Sequence, residues 1–71
     1  MTSAVINIGD EYTVTWNDGE TVRYRCDDLR KGGYIVTRRW MPSKNDWTPW
    51  QGIQVAKEIA RFDVRKINPS K

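Results

Sequence analysis

A chain of 71 residues, 38% hydrophobic and 30% charged with a formal net charge of +3, is one domain at most, near the size where a single core barely offsets chain entropy. It is too apolar to be wholly disordered. The lone Cys26 excludes an intrachain disulfide framework, and the absence of histidine removes the commonest metal ligand and general base.

The opening Met1-Thr2-Ser3-Ala4 has neither a basic nor an apolar leader region, and no apolar run approaches the ~20 residues of a membrane helix. A reducing, cytoplasmic setting away from membranes is expected. Tyr12, Val14 and Trp16 then alternate with Thr13 and Thr15, the period of a half-buried strand. Asn17-Asp18-Gly19 is a turn, and Val22, Tyr24 and Cys26 alternate with Arg23 and Arg25 beyond it. A two-residue loop would split the apolar set between faces. A three-residue loop pairs Trp16 with Glu20, Val14 with Val22 and Tyr12 with Tyr24, as a type I turn with a left-handed Gly19 in a G1 bulge. Trp16 and Cys26 are expected in the core, and Arg23 and Arg25 on the solvated face of an edge hairpin.

Residues 27–33, Asp-Asp-Leu-Arg-Lys-Gly-Gly, read as a second turn with Asp27 and Asp28 as turn formers. A third strand is expected over 34–40. The segment from Met41 to Pro49, with Pro42, Ser43, Asn45 and Asp46, is the longest irregular stretch. Ile53, Val55 and Ile59 fit either a helix from near Pro49 or a strand ending near Val55. Gly52 and the β-branched residues favour the strand, followed by a helical turn over 56–59 and a last strand over 61–65 with Phe62 and Val64 inward. Short flexible tails are expected outside an ordered core of about 8–67, residues 68–71 forming the C-terminal one.

Five strands, a hairpin, a longer loop and a helical turn before the last strand resemble the SH3-like small-barrel layout. The expected fold is thus mainly β, a single small antiparallel barrel with one short helical turn near the C-terminus. The resemblance covers roughly residues 8–67 and names a layout, which serves peptide binding, chromatin reading, DNA binding and RNA-associated roles. Trp16-Asn17-Asp18-Gly19 followed by Tyr24 also resembles a Tudor-like pattern, one that any Asp-Gly hairpin between aromatic strands produces.

Charge is distributed unevenly. Residues 1–28 hold six acids and two bases, and residues 29–71 three acids and ten bases together with Trp40, Trp47 and Trp50. Cations neutralise phosphate and indoles stack on bases, so Arg38, Arg39, Trp40, Lys44, Trp47, Trp50, Arg61 and Arg65 are the candidate binding residues. Adjacent strand positions face opposite ways, so Arg38 and Arg39 are expected on different faces. The primary expectation is a non-catalytic nucleic-acid-binding module, DNA or RNA. The alternative is a protein-binding regulator or inhibitor of a larger host complex, in size and composition similar to phage or plasmid accessory proteins, with the same cluster as a hot spot. A homodimer suits either. The two readings divide on the acids, which must lie opposite the basic face if a long polyanion is to bind. No enzyme, metal or cofactor is expected: Cys26 lacks a histidine base, Asp27-Asp28 lacks the spaced ligands of a calcium loop, and Gly32-Gly33 has no phosphate-loop context.

Overall fold

The computed structural model describes residues 5–67; residues 1–4 and 68–71, including most of the tails expected to be flexible, lie outside them. The chain forms β1 (Glu11–Thr15), β2 (Thr21–Arg30), β3 (Tyr34–Met41), β4 (Asp46–Trp47), β5 (Gly52–Val55), α1 (Ala56–Ile59) and β6 (Asp63–Ile67). All pairings are antiparallel, in the order β4-β3-β2-β1-β6, with β5 also on β3. No ladder joins β6 to β4 or β5 among the described residues, so the sheet is open. No helix among them is long and apolar enough to cross a membrane.

The β1–β2 hairpin has the register read from parity, Tyr12 opposite Tyr24 and Val14 opposite Val22. The Trp16 N–H donates to the Glu20 carbonyl at 2.9 Å, the Gly19 N–H to the Trp16 carbonyl at 2.9 Å, and Gly19 takes φ +85°. Asp18 closes the turn by accepting the Glu20 N–H. Asp-Gly supplies both needs: a side-chain acceptor and a residue with no Cβ penalty in the left-handed region.

Three expected boundaries are corrected. The turn at 27–33 shrinks to the residues after Arg30, because β2 runs through Asp27 and Asp28 with a register shift between Cys26 and Asp28. A bulge leaves an extra residue outside the ladder and lets the strand continue, so Leu29 meets Ile35. The loop over 41–49 contains β4, which folds back so that Trp40 pairs with Trp47 and Met41 with Asp46, through a turn with Asn45 at φ +53°. The sheet therefore has six strands where five were expected. The last strand starts two residues later than read, since Arg61 and Phe62 still donate backward to Glu58 and Ile59 at the helix end. Residues 52–59 follow the strand-then-helix reading.

Tyr12, Val14, Cys26, Ile35 and Ile59 form the core, with Ile6, Trp16, Tyr24, Ala56, Phe62 and Val64 packed around them. Trp16 lies at the core margin, its ring 4.8 Å from Phe62 and edge-on to Tyr24. Burial of each such aliphatic or aromatic side chain contributes ~1.5–3 kcal/mol before entropy is charged against it.

Between β4 and β5, both of which use the same side of β3, Thr48 is buried and carries the connection. Its N–H donates to the Arg39 carbonyl at 2.9 Å, its hydroxyl accepts the Arg39 N–H at 3.2 Å and donates to the Trp50 carbonyl at 2.9 Å.

A basic and aromatic sheet face

On the sheet face away from the core, register aligns Arg65 of β6, Thr13 of β1 and Arg23 of β2 in one row. The row ends on Trp40 and Trp47: the Arg23 guanidinium lies 5.1 Å from the Trp40 ring centre and 5.5 Å from that of Trp47. In the next row Arg25 stands opposite Arg38 and lies 5.1 Å from the Trp47 ring centre. The two indoles meet edge to face at 5.1 Å and 73°, the arrangement ring quadrupoles favour. Planar guanidiniums over indole faces gain cation–π attraction while keeping donors available.

Acids sit among these cations. Glu11 accepts from both Nε and a terminal nitrogen of Arg23. Asp27, turned onto this face by the bulge, accepts from Arg38 Nε, from Arg25 Nε at 3.2 Å and from Gln51 Nε2 at 2.9 Å. The Gln51 amide, then Arg38 and Arg25, hold the Asp27 carboxyl below its ordinary value against the opposing effect of burial. Arg38 also donates to the Thr48 carbonyl at 3.1 Å, fixing the β4–β5 connection against the face. Arg25, Arg38, Lys44 and Trp47 line an open polar concavity at this end.

The structure gathers Arg38, Trp40, Lys44 and Trp47 of the candidate residues, and extends their face across the sheet to Arg65, which is exposed and paired with Asp63 at 3.2 Å. Arg39 and Trp50 go elsewhere. They line a shallow cleft with Tyr24, Thr48 and Ile53, as the opposite facing of Arg38 and Arg39 requires. Arg61 pairs with Glu58 across the helix end at 3.6 Å.

Arg23 and Arg25 lie on this outer face, as read, but not at an edge: β2 lies between β1 and β3, and both arginines are half-buried against the indoles. Their outward parity was visible in the sequence. The missing piece was the pairing of Trp40 with Trp47, which the Pro42–Asn45 turn, flanked symmetrically by Trp40-Met41 and Asp46-Trp47, signals. Asp27 likewise proves an ion-pair hub within a strand instead of a turn former.

On the opposite side, Cys26 is buried, its Sγ 3.4 Å from the Asp28 carbonyl, and burial pushes its thiol pKa up. An open apolar groove of about 380 Å³ runs between α1 and the end of the β2–β3 hairpin, lined by Leu29, Tyr34, Ile59 and Phe62 among others. No family of proteins, no curated protein and no solved structure matches this chain.

Proposed function

We propose that this chain is a small non-catalytic binding module that takes a short single strand of nucleic acid across the β2–β3–β4 face. The observation that carries the reading is the placement of Arg23 and Arg25 over the Trp40–Trp47 pair, with Arg38 opposite Arg25 and Lys44 and Arg65 at the margins. The Arg23–Glu11 pair is partly solvated, and pairs of that kind contribute little individually, ~0.2–1 kcal/mol. Asp27 is more deeply set beneath Arg25 and Arg38 and stays with them, so phosphates would meet those two arginines through guanidinium nitrogens other than the Nε atoms that Asp27 holds. Glu11 and Asp27 restrict the footprint, because a long duplex laid across the face would meet fixed negative charge. The strand order, with the last strand returning beside β1 after a helical turn, supports assignment to the SH3-like layout. The Tyr12 hydroxyl of β1 bonds Gln54 of β5 across the inner face of the curled sheet. A free, buried Cys26 suits a reducing cytoplasm.

The second reading, a protein partner, is favoured by one observation: carboxylates interleaved with arginines and indoles form a mixed-charge surface of the kind found at interface centres. Fluorescence titration with short single-stranded oligonucleotides separates the two. Four engaged cations on a single strand give a salt exponent of about −2.8, or on the order of 50-fold weaker binding when salt rises about fourfold. Loss of one stacked base in Trp47→Ala weakens binding by about 5- to 150-fold. Absence of saturable quenching at low salt overturns the nucleic-acid reading and directs the search to proteins captured by the same face.

A further inference from the structure

We infer that β5 is a self-pairing edge through which two copies of this chain associate, about a two-fold axis that brings Ile53 opposite Ile53 of the second copy. The inference is independent of the binding face.

Three strands of the open sheet have an unpaired edge among the described residues, and β4, two residues long and carrying Asp46, is too short to template a partner. β6 carries Asp63, Arg65 and Lys66 among its five residues, and charges of this kind protect an edge from further pairing. β5 is different. It lies within ten consecutive uncharged residues, Trp47 through Ala56, pairs among the described residues only with β3, contains the exposed Ile53 at 59% and follows the exposed Trp50 at 62%.

Its hydrogen-bond phase is fixed. The Ala56 N–H donates to the Gly33 carbonyl at 2.8 Å, so along the same register Gly52 and Gln54 bond to β3, while the Ile53 N–H and carbonyl turn off the free edge. Two antiparallel copies centred on Ile53 exchange both bonds reciprocally, which is what an isologous two-fold contact demands. Gly52 then stands opposite Gln54, and no like charges meet. A strand without charge gives a charged peptide nothing to pair with, whereas the second copy supplies a neutral strand already held in β conformation, with its ordering entropy paid in the monomer. Association also covers Ile53 on a chain with little core of its own.

Gly52→Lys is the direct test. A Cβ at Gly52 meets nothing within 4 Å and its backbone is outside the left-handed region, so the fold accepts the side chain while each copy brings a cation to the edge. Sedimentation equilibrium or light scattering of the full chain should give twice the chain mass at high concentration, falling toward one on dilution, with Gly52→Lys monomeric at every concentration and unchanged in circular dichroism. Ile53→Pro, which deletes an outward N–H, should do the same. A native chain that stays monomeric at millimolar concentration, or a dimer that persists in both folded variants, overturns the inference. So does protection of the Ile53 amide from hydrogen exchange only when an uncharged strand peptide is added, which makes the edge a site for another protein.

Discussion

Tyr12→Phe deletes one buried atom. The Tyr12 side chain is fully buried, its hydroxyl 2.7 Å from the Gln54 amide oxygen and 3.0 Å from Thr37 Oγ1, which itself donates to the Arg25 carbonyl at 3.0 Å. In the variant Thr37 keeps that bond and Gln54, half-buried, reaches water, so the loss is near the net value of a buried hydrogen bond, about 1–2 kcal/mol. For a domain of this size the melting temperature falls by about 5–15 °C.

A second arm isolates the hydroxyl. Burial, the leading cause, pushes the Tyr12 pKa from 10.0 up to about 12, so above pH 10 the folded state holds a proton that the unfolded state has released. Stability from this group is fully present below pH 10 and declines as pH rises through 12, by roughly 2–3 kcal/mol in all. The native chain is therefore more stable than Tyr12→Phe at pH 7, and the order reverses between about pH 11 and 12. Urea unfolding of both proteins at matched pH, followed by tryptophan fluorescence, measures the difference. A stability gap that does not change with pH refutes the reasoning, because it means the hydroxyl is equally solvated in both states.

Asp27→Asn probes the opposite end of the pH scale. Because the native carboxyl is held below its ordinary value, its contribution is present above the unfolded-state pKa, near 3.8, and is lost as pH falls through the lower folded value; the native chain should exceed the variant in stability at pH 6, with the gap closing in acid unfolding. Cys26, buried with its pKa raised, should react with a disulfide reagent at least ~100-fold faster in urea than in the folded state at pH 8, since both exposure and thiolate fraction limit the native rate.

The hairpin was legible because everything that sets it is local: alternation fixes the faces, and Asp18-Gly19 fixes the loop length and so the register. Cys26 was legible as a buried residue for the same reason. What escaped was nonlocal. The bulge at Asp27 exists to bring Leu29 against Ile35 while Cys26 stays opposite Thr37, and neither strand alone contains that mismatch. The two-residue β4 is too short to show a period, and without it Arg23 and Arg25 had no aromatic surface to lie on. The separation of Arg39 from Arg38 was legible in strand alternation, whereas the turn at Thr48 that sends Trp50 to the cleft beside Arg39, away from Trp47, was not.

Thr48 has a consequence for how such a chain can diverge. The indoles and guanidiniums lie on the outer sheet face and interact through their side chains. The hydroxyl at position 48 answers to the backbone alone, satisfying the Arg39 N–H and the Trp50 carbonyl at the junction where one neighbour of β3 gives way to the next. Valine there would keep the volume and orphan both groups. A chain stripped of every tryptophan would still need a hydroxyl at this junction, because the demand comes from the backbone and not from the surface it supports.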